Sequence, residues 1–116
     1  MIRVLITVEP RMYREVLIFA LRRRRPLVES VLAESAALDR TAGKFEPHLI
    51  VCNQATQKVG DSAASWIEVQ VKDGLDAVTC VDGKRSEIRD LGIDDSLVTV
   101  DEAEGTSTSE PTLIHA

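Results

Sequence analysis

The sequence predicts an α/β fold: a mostly parallel sheet with flanking helices, ending in an antiparallel β-hairpin and a C-terminal helix. Short β-branched runs alternate with amphipathic segments through the first half, as in parallel sheets buried on both faces. An Asp-Gly pair at Asp82 and Gly83 separates two later strand-like segments. The 116 residues, 44% hydrophobic and 28% charged, fit one domain over 1–105, followed by a C-terminal tail over 106–116.

The first two elements are a strand over 2–8 and a helix that begins at Arg11. The strand is a short β-branched run without helical periodicity. The helix ends in four arginines at 22–25, because Pro26 disfavours helical conformation in the residue before it. Its apolar stripe is expected to face the core. That stripe comprises Met12, Val16, Phe19 and Ala20, widened by Tyr13, Leu17 and Leu21.

The next elements repeat the alternation of strand and helix. A second strand is predicted over 27–33, a short helix over 35–44, and a buried third strand over 48–52 after Pro47. A short crossover helix over 55–59 precedes the fourth strand. Strands that alternate with helices imply right-handed crossovers and parallel pairing.

The second half changes character. Over 66–71 apolar and polar residues alternate, as in a half-buried strand, with Ile67, Val69 and Val71 on one face. Strands over 77–81 and 84–88 flank the Asp-Gly pair, which predicts a type I′ hairpin. A last helix is expected to be capped by Asp94 and to end at Gly105, before the Ser/Thr-rich tail.

Composition disfavours several functional classes. A net charge of −5 and an aromatic content of 3% argue against nucleic-acid binding, and the arginine run at 22–25 is interpreted as a solvated helix end that complements the helix dipole. No apolar run approaches the ~20 residues of a membrane helix. With no signal-peptide pattern, we expect a cytoplasmic protein without membrane contact.

The reactive side chains lack the spacing of a catalytic or metal site. Cys52 and His48 lie on one face of the same predicted strand but about 13 Å apart, so both Cys52 and Cys80 are predicted to be core residues. The histidines and cysteines lack zinc-ligand spacing, and Glu9 and Pro10 stand where a glycine-rich phosphate loop would follow the first strand. We therefore predict no metal and no cofactor.

One ligand site is a candidate. Glu9 and Asn53 follow neighbouring parallel strands, whose carboxyl ends commonly bind ligands in open α/β sheets. Arg11 and Arg14 begin the next helix and are candidate anion anchors. The favoured alternative is that Glu9 and Asn53 hydrogen-bond the backbone of loops.

The segment 3–53 resembles the first half of a response-regulator receiver domain. Val4, Leu5 and Ile6 form a first strand that leads towards the site, and Arg14 and Glu15 lie in the first helix. The third strand of the family corresponds to Pro47, Leu49, Ile50 and Val51. The resemblance covers a little under half of the chain and implies a receiver-like, flavodoxin-like fold.

The working positions of that family differ here. The acidic pair expected at Val8 and Glu9 is reduced to Glu9, and Asn53 occupies the phosphoacceptor position. An amide is a poor nucleophile, and two missing carboxylates remove most of the oxygen ligands for Mg²⁺. After Asn53 the chain departs from the pattern, and Lys84 lies in the hairpin rather than at a strand end.

We therefore expect a non-catalytic, receiver-like protein-interaction module that cannot accept phosphate and is not an enzyme. It is expected to form a homodimer through the hairpin edge or through the apolar end of the tail, 112–114. The alternative is a small-ligand sensor or enzyme that uses Glu9, Arg11 and Asn53. A residual phosphorylation switch is the third hypothesis.

Overall fold

The computed structural model describes residues 2–71 and 75–113, with side chains as far as Gly105. Within these ranges the chain forms six strands, four α-helices and one 3₁₀ turn. The strands are β1 Arg3–Ile6, β2 Glu29–Leu32, β3 Leu49–Cys52, β4 Ser65–Val71, β5 Leu75–Val81 and β6 Lys84–Ile88. The helices are α1 Arg11–Arg24, α2 Leu38–Phe45, α3 Gln57–Ser62 and α4 Ile93–Leu113, and the 3₁₀ turn Ser35–Ala37 precedes α2.

All six strands lie in one sheet with the order β2-β1-β3-β4-β5-β6. The first four pair in parallel, with Leu5 opposite Ile50 and Ile50 opposite Trp66. Strands β4, β5 and β6 pair antiparallel as a meander. The expected α/β architecture is confirmed, but the sheet is mixed: its parallel part ends at β4, and the antiparallel part is one strand wider than the single hairpin expected.

Two apolar clusters cover the two faces of the sheet. On one face α1 and α4 pack against β1, β3, β4 and β5, through residues such as Val4, Leu17 and Leu97. On the other face α2 and α3 pack against the parallel strands, through residues such as Leu5, Ile50 and Val59. Successive residues of β1 therefore enter opposite cores, as the two-residue period of a strand requires.

Helix α1 buries only the Leu17 and Leu21 side of the expected stripe. Its buried residues are Arg14, Leu17, Ile18 and Leu21. Met12, Val16 and Phe19 of the expected stripe are 75%, 47% and 65% exposed. Apolar residues surround this helix almost completely, so their spacing alone does not select a face. The adopted face buries three large aliphatic side chains side by side.

The predicted type I′ turn is confirmed. Asp82 and Gly83 have φ angles of 51° and 84°, and Val81 pairs with Lys84 across the two-residue loop. Positive φ at both central residues is the signature of this turn, and its twist matches that of the flanking strands.

Helix α4 differs from expectation at both ends. It begins at Ile93, and the Asp95 carboxylate accepts the Gly92 N–H at 2.9 Å, whereas Asp94 pairs with Arg24. It continues through Gly105 to Leu113, because Gly105 does not adopt the positive φ that would stop it. Part of the expected tail is therefore helical backbone, and residues 114–116 lie outside the described residues.

Smaller differences concern exposure and element bounds. Strand β2 begins at Glu29, because the chain turns at Pro26 and leaves Leu27 77% exposed. Val71 is exposed at the end of β4, and Cys80 is half-buried rather than in the core. Neither described stretch of the chain contains a helix that is long and apolar enough to cross a bilayer.

Candidate functional site

The candidate site lies at the carboxyl ends of β1 and β3. These neighbouring parallel strands run in register, with Ile6 opposite Val51, so the residues that follow them meet at one edge of the sheet. Just beyond β1 the Thr7 N–H donates to the Val51 carbonyl at 2.8 Å. Glu9 and Asn53 are brought together, as the sequence predicts.

The amide of Asn53 is engaged entirely by backbone. Its Oδ1 accepts the Glu9 N–H at 2.6 Å. Its Nδ2 donates to the Glu9 carbonyl at 3.0 Å and to the Val69 carbonyl at 3.2 Å. One side chain thus ties the β1–α1 loop to the end of β4. For Asn53 this is the structural alternative that the sequence favours.

The carboxylate of Glu9 is paired within the chain. Nη1 of Arg14 lies 3.0 Å from Glu9 Oε1, and the Arg14 side chain is only 8% exposed. A buried guanidinium needs an acceptor, because leaving it unpaired is costly. Arg14, a candidate anchor for an anionic ligand, is therefore already paired with the Glu9 carboxylate of the same chain.

Arg11 does not join this cluster. Its side chain is 77% exposed and pairs with Glu15 at 3.0 Å. It borders a separate depression with Leu32 and Glu34, whereas Glu9 and Asn53 border an open one with Val69 and Gln70. The three predicted site residues thus share one edge of the sheet but no common pocket.

A more enclosed cavity of about 310 Å³ lies beside Asn53, and Thr7, Ser35, Asp39 and Thr56 are among its lining residues. The Thr7 hydroxyl donates to the Val51 carbonyl at 3.2 Å, and Ser35 Oγ donates to the Thr7 carbonyl at 3.0 Å. Thr56 Oγ1 caps α3 by accepting the Val59 N–H. All three hydroxyls thus form hydrogen bonds to the backbone around the cavity.

Cys52 also lines this cavity, but its thiol is buried. Burial raises the pKa of Cys52 to about 12, so the thiol stays protonated at neutral pH. His48 does not contact it; Nδ1 of His48 accepts the Arg3 N–H at 2.9 Å. The predicted core role of Cys52 is confirmed.

Sequence reasoning missed one polar residue that shapes this edge. Glu68, on β4, accepts the Ala55 N–H through Oε2 at 2.7 Å and a Gln70 amide hydrogen through Oε1 at 3.2 Å. The alternating pattern of β4 places Glu68 and Gln70 on the same face, but spacing alone does not reveal the loop that Glu68 holds.

Over residues 2–71 and 75–105, no three His, Cys, Asp or Glu side chains are grouped so that they could hold a metal ion. No family model matches the chain, and neither a curated protein sequence nor a solved structure matches it significantly.

Proposed function

We propose that this chain is a non-catalytic, receiver-like protein-interaction module whose strand-end site cannot accept phosphate. The observation that carries the proposal is the engagement of the Asn53 amide by three hydrogen bonds to backbone, which use both of its N–H donors. A side chain held this way supports the β1–α1 loop and has no N–H left to donate to a substrate.

The chemistry at this edge supports the same conclusion. An acyl phosphate requires a carboxylate nucleophile, and the amide of Asn53 does not provide one. Mg²⁺ prefers several carboxylate oxygens, whereas Glu9 is paired with Arg14 at 3.0 Å. A metal ion here would compete with the buried Arg14 guanidinium for the Glu9 carboxylate.

A titration of Mg²⁺ with beryllofluoride, a phosphoryl mimic, tests the proposal by amide NMR. We expect no saturable shifts at Glu9, Asn53 or the residues around them. Saturable shifts clustered at Glu9 and Asn53 in the unaltered protein would contradict the proposal.

The second candidate function is that of a small-ligand sensor or enzyme. The observation that favours it is the 310 Å³ cavity at the carboxyl ends of the strands. At this edge α2 and α3 lie on one face of the sheet and α1 lies on the other. Ligands of open α/β sheets bind at such switch points.

Native mass spectrometry of the gently purified protein distinguishes the two functions. A retained ligand appears as a reproducible extra mass, and Ala36→Phe, in the cavity wall, should remove it. Ala64→Phe, at an exposed position outside the cavity wall, is the control. A protein of unmodified mass favours the interaction module.

A further inference from the structure

The outer face of α1 exposes an apolar stripe that no other described element covers. Met12, Val16 and Phe19 recur at helical spacing and are 75%, 47% and 65% exposed. They lie opposite Leu17 and Leu21, which the sheet buries. Single exposed apolar residues are ordinary, but a stripe along one helix is typical of an interaction surface.

The charge beside this stripe is positive and partly unpaired. Arg22 and Arg23 follow Phe19 on exposed turns of α1, and no described residue forms an ion pair with either of them. Their neighbours are engaged by α4: Arg24 contacts Asp94, and Arg25 forms two hydrogen bonds to Asp101 at 2.7 and 2.8 Å.

Helix α4 lies beside α1 on the same face of the sheet and has the opposite charge. Its sequence over 93–113 contains no lysine or arginine. Val98 is 55% exposed on its outer face. Asp95 and Glu102, three residues before and four after Val98, are exposed beside it. The two-helix layer thus has a basic and an acidic half, with an apolar stripe on α1 and, as far as Gly105, the single exposed apolar side chain of Val98 on α4.

We propose that this layer is a self-association surface, on which two copies of the chain pack with α1 of each against α4 of the other. The proposal deepens the proposed function, since it names the partner and the face of the interaction module. A two-fold axis lying in the interface allows α1 to face either α4 or α1 of the second copy.

Charge selects between these two arrangements. Packing α1 on α1 brings two basic helices together, whereas packing α1 on α4 sets Arg22 and Arg23 against an acidic helix. The ion pairs of Arg24 and Arg25 within one copy already show this pairing of helices. Complementary charges fix the register of an interface and disfavour the wrong one.

The area of this surface determines how strongly two copies are expected to associate. Two helices about 10 Å wide and about 20 Å long cover roughly 400 Å² in projection. Over both copies this is about 800 Å², below the roughly 1,200 Å² at which standard specific interfaces begin, so the expected dimer is weak and transient and forms at micromolar or higher concentration.

Sedimentation velocity from about 5 to 500 µM tests the proposal, since this range spans a micromolar dissociation constant. We expect a concentration-dependent dimer, and Phe19→Glu should raise its dissociation constant at least about tenfold. Leu27→Glu is the matched control, because Leu27 is 77% exposed, against 65% for Phe19, but lies beyond the end of α1. Thermal melts of each variant verify folding.

Charge exchange identifies the partner helix. Arg22→Glu combined with Arg23→Glu should abolish dimerisation, and adding Glu102→Arg to that pair should restore part of it. Three results would overturn the proposal. The protein could be a monomer at every concentration, its dimer could have the same dissociation constant with Phe19→Glu, or it could be a monomer that binds anionic vesicles. None of these results affects the beryllofluoride titration, on which the proposed function rests.

Discussion

At the scale of single residues, Asn53 and Arg14 determine the character of the strand-end region. Asn53 joins the β1–α1 loop to the end of β4 through hydrogen bonds to backbone, and Arg14 neutralises Glu9 from a nearly buried position. The sequence places Glu9 and Asn53 together because parallel strands end at a common edge. It favours internal hydrogen bonds for both residues but does not reveal their partners, because these depend on loop conformation beyond any residue spacing.

Replacement of Asn53 by Asp should lower the free energy of unfolding by about 1–3 kcal/mol, because the carboxylate loses both hydrogen bonds that Nδ2 donates. Urea unfolding measures the change. The Gln54→Glu variant carries the same charge at an exposed position and should be nearly neutral. Equal stability of the Asn53→Asp variant and the original would show that the two hydrogen bonds donated by Nδ2 contribute little.

His48 gives the protein a pH dependence with a definite sign. Burial, followed by the charge of Arg3, lowers the pKa of His48 from its ordinary value. The unfolded chain therefore takes up this proton at higher pH than the folded chain. The stability that depends on neutral His48 is fully present above the ordinary histidine pKa, about 6.5. It is lost as the pH falls through the lower pKa that His48 has in the folded protein.

Urea unfolding between about pH 7.5 and 5.5, around the ordinary histidine pKa, should detect that loss. The His48→Asn variant retains a side-chain acceptor for the Arg3 N–H but does not titrate, so its stability should change less over this range. An identical pH profile for the two proteins would assign the dependence to other groups.

At the scale of elements, turn chemistry is more predictable than helix orientation. Asp82 and Gly83 require no tertiary information to form a type I′ turn, and the structure has it. Helix α1 is apolar on nearly every side, so the choice of its buried face depends on how Leu17, Ile18 and Leu21 fit the sheet. The end of α4 was likewise predicted wrongly, because Gly105 tolerates the helical conformation it was expected to end.

Two glycine-to-alanine substitutions compare a glycine with positive φ in a turn with a glycine inside a helix. Gly83→Ala should destabilise the protein by about 1–2 kcal/mol, because Gly83 has a φ of 84°. Gly60→Ala, inside α3 with no atom within 4 Å of the added Cβ, should be neutral or stabilise by up to about 1 kcal/mol. Thermal unfolding compares them, and a neutral Gly83→Ala variant would contradict the role of the turn.

At the scale of the whole molecule, the alternation of strands and helices correctly predicts an α/β sheet with parallel strands in the first half. The extent of the antiparallel part was underestimated, because the alternating pattern of β4 fits either pairing direction. Fold class follows from periodicity, whereas the partner of each strand depends on contacts between residues distant in sequence.

The strand order also predicts a gradient of local stability. Strands β1 and β3 are paired on both sides, whereas β2 and β6 are edges, and β6 is largely exposed. Native-state hydrogen exchange should find amides of β1 and β3 protected by at least about 2 kcal/mol more than those of β6. Uniform protection across the sheet would contradict this gradient.

The protein's single tryptophan makes that gradient optically accessible. Trp66 lies on β4, the strand shared by the parallel and antiparallel parts, and the Arg85 guanidinium of β6 lies 5.5 Å from its ring centroid. Detachment of β6 removes the cation from the indole, whereas global unfolding exposes the ring to water. One emission spectrum therefore distinguishes fraying of an edge from loss of the fold, with no added fluorophore.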